Sequence, residues 1–138
     1  MYRGRNMNAQ MSQEDKGQLT AMIIYLLDSW EIKASDQIHI LDLPKGTPSR
    51  AIRKYRDSQP FPDSLQVMER VEHIVGIAEA LSTTFPRNAY MAPQWMNQPH
   101  RRFGNRTPVK TIIEDGLSGL IAVRAHLDCT FAWDKSEH

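Results

Sequence analysis

Apolar positions recur every three or four residues along most of this chain, the spacing of helices that each bury one face. Leu19, Met22, Ile23, Leu26, Leu27 and Trp30 form the first such stripe, which begins after Gly17 and leaves Asp28 and Glu31 to one side. Ser35 is placed to cap a short second helix with Ile38, Ile40, Leu41 and Leu43 as its apolar positions, and Pro44-Lys45-Gly46 stops it. Thr47-Pro48 predicts a restart, with threonine as cap and proline in the first turn, for a third helix to about Asp57 that turns Ile52 and Tyr55 inward.

Pro60 and Pro62 make the best internal boundary. Asp63 or Ser64 should cap a long fourth helix that carries Leu65, Val67, Met68, Val71, Ile74, Val75, Ile77, Ala78 and Leu81 and ends near Phe85, because Pro86 follows. It is apolar over more than half its circumference, which predicts a central position. Arg87 to Arg106 is a polar connection interrupted by Pro93 and Pro99, with Trp95, Met96 and Phe103 as anchors. Thr107-Pro108 repeats the cap-and-proline start for a fifth helix through Asp115, and Gly116 suits a left-handed cap. Ser118 can cap a sixth helix with Leu120, Ile121, Val123 and Leu127 inward, ending near Cys129 to Ala132. No segment alternates with period two long enough to predict a strand. The expected fold is all-α: a small N-terminal helix-turn-helix-like bundle (19–59) packed on or joined to a C-terminal helical domain (60–133), between a polar tail (1–18) and a short charged end (134–138).

Composition narrows the function classes. The chain has 138 residues, 41% hydrophobic and 24% charged, enough for one shared core. A net charge of +1 is too balanced to imply nucleic-acid or membrane binding, so any DNA contact needs locally concentrated charge. A single cysteine, Cys129, excludes an internal disulfide framework and fits a reducing cytoplasm. The longest apolar run, Met22 to Leu27, cannot cross a bilayer, and the N-terminal stretch lacks the apolar core of a signal peptide, so no membrane role is expected.

Catalytic arrangements are poorly supported. His39, His73, His100, His126 and His138 are scattered with no pair at ligand spacing, so neither a metal nor another cofactor is expected. Cys129 reads as a small buried hydrophobe, and the adjacent Glu114 and Asp115 should point apart on a helix. The chain reads as a non-enzyme.

Two constellations suggest binding. Lys45, Thr47, Ser49, Arg50, Arg53, Lys54 and Arg56 surround the third helix, with no acidic residue between Lys45 and Arg56. Arg50, Arg53 and Lys54 share the face opposite Ile52 and Tyr55. In a helix-turn-helix such a face can read operator DNA in the major groove, and a solvated charged face explains the same residues. Phe131 and Trp133 lie past the last good helical positions, beside a charged tail, either folded back onto the core or offered to a partner; fold-back is the simpler reading of these residues alone.

The second constellation runs Trp95, Pro99, Phe103-Gly104, Thr107-Pro108 and Gly116. With the preceding helix that ends in Phe85-Pro86, it resembles the toxin-binding domain of the Xre/MbcA/ParS antitoxins over about Phe61 to Ala132. Residues 19–59 resemble the Xre-like helix-turn-helix these antitoxins carry. The family usually has asparagine where this chain has His100 and a glycine where it has Asn105. The resemblance implies an antitoxin of a bacterial type II toxin–antitoxin system, held in the cytoplasm as a homodimer or a toxin–antitoxin hetero-oligomer. Its cognate toxin would be of the RES class, which consumes NAD, or an ADP-ribosyltransferase. It also implies that Arg124, Leu127, Asp128, Phe131 and Trp133 form an element that blocks the toxin, so that a chain cut after Ala125 should fold yet fail to neutralise. The alternative is a stand-alone helix-turn-helix transcription regulator whose C-terminal helices mediate dimerisation.

Overall fold

The computed structural model describes residues 11–136 of the chain, with side chains for 11–129. Among the described residues there are seven α-helices and no strand. They are α1 (Gln13–Ser29), α2 (Ala34–Leu41), α3 (Ile52–Arg56), α4 (Leu65–Thr84), α5 (Met91–Met96), α6 (Pro108–Asp115) and α7 (Leu117–Ser136).

The caps explain most of the boundaries. The Ser12 hydroxyl accepts from the Asp15 amide, so α1 starts earlier than its apolar stripe and absorbs part of the expected polar tail. Ser64, the second of the two candidate caps, accepts from the Val67 amide at 3.4 Å. Thr107 accepts from the Lys110 amide at 2.9 Å, with Pro108 in the first turn, as its sequence predicts.

Other boundaries differ. Lys33, not Ser35, occupies the cap position of α2. Thr47 does not cap a helix: its hydroxyl donates to the Pro44 carbonyl, and Pro48 is extended at ψ 153°. The basic segment therefore begins as a 3-10 turn, Ser49–Ala51, and becomes α-helical only at Ile52. Gly116 has φ 63° and ψ −131°, a glycine region but not the left-handed helical one. Ser118 lies inside α7 and donates back to the Asp115 carbonyl. Helix α7 continues to Ser136, past the expected end, because nothing after Leu117 breaks its backbone ladder.

One continuous core joins the two halves. Ile23, Ile24, Leu27 and Trp30 of α1 and its C-terminal end, Ile40 and Leu41 of α2, and Ile52 and Tyr55 of α3 share it with Val67, Val71, Ile74, Ile77 and Leu81 of α4. Phe103, Ile112, Leu120, Val123 and Leu127 complete it from the C-terminal side. Helix α4 touches α1, α2 and α7, which is the central position its wide apolar surface predicts. Three expected inward positions face solvent instead: Met22, Leu65 and Ile121 are 41%, 88% and 44% exposed. A helix offers only one side to its neighbours, and apolar residues flanking that side are left out.

Candidate functional site: a basic segment and the α4–α7 face

The basic segment is positioned from beneath. Ile52 and Tyr55 are buried, and the Tyr55 ring packs on Phe61 with centroids 5.1 Å apart. That leaves Lys45, Ser49, Arg50, Arg53, Lys54 and Arg56 exposed and Thr47 half-buried. A shallow depression beside them is lined by Pro48, Arg50, Ala51, Arg53, Lys54 and Asp57.

These cations are not equivalent. The Arg56 Nε donates to Asp28 Oδ2 at 2.9 Å, and Nη2 donates to Oδ1 at 3.2 Å. This hydrogen-bonded carboxylate raises the Arg56 pKa above its ordinary value. Asp28 is held in turn by the Gln37 amide, which donates to Oδ1 at 2.7 Å and to the Ile32 carbonyl at 2.8 Å. Arg56 thus ties α3 to α1. Lys54 lies over its neighbour's ring, 5.3 Å from the Tyr55 centroid. Arg50 and Arg53 have no side-chain partner among the described residues and are exposed.

The second region is built by the connection before α6. Its sequence reads as a loop, but it contains α5 and a 3-10 turn, Arg101–Phe103, closed by Gly104 in the left-handed conformation. Pro93 is the third residue of α5, in its first turn, where a missing amide breaks no helical hydrogen bond. Trp95 is half-buried, with its ring 4.6 Å from His100 and stacked 6.1 Å from His126 of α7. Phe103 meets His126 edge-on at 5.5 Å. Burial, aided by Arg102 and His100, lowers the His126 pKa from 6.5. Pro99 is exposed, whereas Pro108 is buried and Thr107 and Gly116 are half-buried.

Two features of this region escaped sequence reasoning. Glu114 and Asp115 do not point apart: both reach Arg106, which donates to them at 3.0 and 3.0–3.2 Å. The contact holds the Asp115 carboxyl below its ordinary value. The other is Gly76. It sits inside α4, where glycine costs about 1 kcal/mol relative to alanine, and a methyl there would collide with the Arg124 guanidinium. Their adjacency joins residues far apart in sequence, so no local pattern announces it.

The residues expected to meet a toxin divide in three. Arg124 is half-buried against α4, with Nη1 3.3 Å from His73 Nδ1. Asp128 is exposed. Leu127 is only 2% exposed and belongs to the core. A cut after Ala125 would remove that core residue. Phe131 and Trp133 lie in the helical backbone of α7, but their side chains fall outside the described residues. Cys129 is exposed, not the buried hydrophobe expected.

Among the described residues, no group of three histidine, cysteine, aspartate or glutamate side chains is placed to hold a metal, and no helix is long and apolar enough to cross a membrane. What remains is an all-α protein with an aromatic-clasped C-terminal helix pair. Residues 80–130 match the family model of the antitoxin Xre/MbcA/ParS C-terminal toxin-binding domain, a stretch running from the end of α4 through α5, α6 and most of α7. The match covers a minor part of the chain, and over that stretch the chain is similar to a toxin-binding domain. The chain is also 26% identical over 103 residues to the "Uncharacterized protein y4oB" of Sinorhizobium fredii (strain NBRC 101917 / NGR234), covering 75% of this chain and 76% of that one.

Proposed function

We propose that this chain is the antitoxin of a type II toxin–antitoxin system, neutralising its toxin through α7 and the residues that follow its core-bound part. The observation that carries this reading is the family match falling on α5–α7. Helix α7 supports it by running on to Ser136 beyond Leu127, the last buried position among the described residues. Blocking is steric: Arg124 and Asp128 orient the toxin, and Phe131 and Trp133 supply an apolar anchor at its active-site entrance. The resemblance makes the toxin RES-type or an ADP-ribosyltransferase, with NAD as the toxin's substrate and not a cofactor of this chain.

The basic segment adds a second activity in this reading. Lys45, Arg50, Arg53 and Lys54 bind operator DNA in a dimer or toxin complex, and the operon is repressed. The free cations Arg50 and Arg53 support this assignment, while Arg56 serves as a strut. A stand-alone DNA-binding regulator is the second reading, favoured by the same exposed charge. A toxin gene beside this one favours the antitoxin.

The test uses the full chain co-expressed with the product of the adjacent reading frame. A chain ending at Cys129 keeps Leu127 and should fold, yet leave cells unprotected. Full protection by that truncation removes the tail from the mechanism.

A further inference from the structure

A groove of about 190 Å³ runs between α4 and α7, lined by Gly76, Glu79, Ala80, Thr83, Arg124 and Asp128. Its floor is the α4 backbone at Gly76, on which the Arg124 guanidinium and the end of its stem lie flat. Only a residue without a Cβ lets the cation sit this deep. Its Nη1 lies 3.3 Å from His73 Nδ1.

The charge arrangement around Arg124 differs from that of the ion-paired arginines. Arg56, Arg70 and Arg106 each have a carboxylate within 4.0 Å, whereas Arg124 has none among the described residues. Glu79 and Asp128 line the same groove but remain exposed and hydrated. Arg124 is therefore half-buried with no carboxylate in ion-pair range, and a planar fork of this kind can take one. Ile121, 44% exposed, lies one turn earlier on the same helix and supplies apolar surface beside the fork.

We propose that this groove is the socket for an acidic side chain of the toxin, whose carboxylate pairs with the Arg124 fork while toxin apolar groups cover Ile121. The proposal rests on the toxin-binding reading above and names the chemistry of one contact in it. Glu79 and Asp128 at the rim favour a basic toxin residue next to the acidic one. They disfavour a uniformly acidic surface, so the groove selects a charge order and not merely a sign. Gly76 is the positioning residue.

The test measures Kd between the full-length chain and the protein encoded by the adjacent reading frame, for the wild type and for Arg124→Gln, Arg124→Lys and Gly76→Ala. Loss of a half-buried charge-assisted pair predicts at least a roughly tenfold weaker Kd for Arg124→Gln. Arg124→Lys should weaken binding less, because it keeps the charge and loses the fork. Gly76→Ala should also weaken binding while its thermal midpoint holds or rises, since alanine favours the helix and only displaces the flexible Arg124 side chain. A merely structural role for Arg124 would instead lower the midpoint. Binding by the wild type with unchanged Kd for all three variants overturns the socket and leaves the toxin-binding reading standing. Failure of the wild type to bind overturns both.

Discussion

Asn105 shows how much one residue can carry. Its φ is 65°, in the left-handed region that asparagine tolerates better than other side chains. The amide of Asn105 donates to the His100 carbonyl at 3.0 Å, and His100 and Arg106 pair across the same turn. Asn105→Val should therefore lower stability by about 1–2 kcal/mol, and Asn105→Gly should not; denaturant midpoints with unchanged slopes would show it. His126 gives a second prediction at this scale. Its folded pKa is depressed, so the unfolded chain takes up the proton first, and stability held above 6.5 is lost as pH falls below it. Arg102 and His100 face His126 from the connection before α6, and their charge works in the same direction. Thermal midpoints measured across that range should fall on acidification, and less steeply in His126→Phe. Equal slopes in the two proteins would clear His126 of the effect.

At the scale of elements, caps and struts matter more than propensity. Thr107 both accepts the Lys110 amide and gives its carbonyl to the Thr111 hydroxyl. Removing the cap in Thr107→Ala should lower stability by about 1 kcal/mol, checked by urea unfolding. The basic segment is a short element held by Ile52, Tyr55 and the Arg56–Asp28 pair, and its residues should respond differently to substitution. Arg50→Ala with Arg53→Ala should weaken binding to upstream DNA and flatten its dependence on salt without unfolding the chain. Asp28→Ala should instead loosen α3 and lower stability, since it removes the counter-charge of Arg56 and one acceptor of the buried Gln37 amide. Unchanged gel-shift affinity for the double arginine variant would make the segment a solvated surface only.

For the whole molecule, the continuous core couples the two halves. Asn97 of the C-terminal connection donates to the Trp30 carbonyl at 2.9 Å, and α2 touches α6. A single cooperative transition is expected, with tryptophan fluorescence and far-ultraviolet circular dichroism losing signal together. Two separate transitions would show that residues 19–59 and 60–133 fold as independent units.

The helices were legible in the sequence because period, caps and prolines act locally: the inward sets of α3 and α4, the Thr107-Pro108 start and the Trp95–Gly116 pattern are written in neighbouring residues. Short α5 was not, because its six residues span too few turns to show a period and Pro93 obscures it. The depth of Leu127, the exposure of Ile121, the sorting of Arg56 from Arg50 and Arg53, and the fit of Arg124 onto Gly76 were decided only by tertiary structure. Each depends on which surface of one helix meets another distant in the chain, and burial and counter-charge are properties of that meeting, not of local spacing.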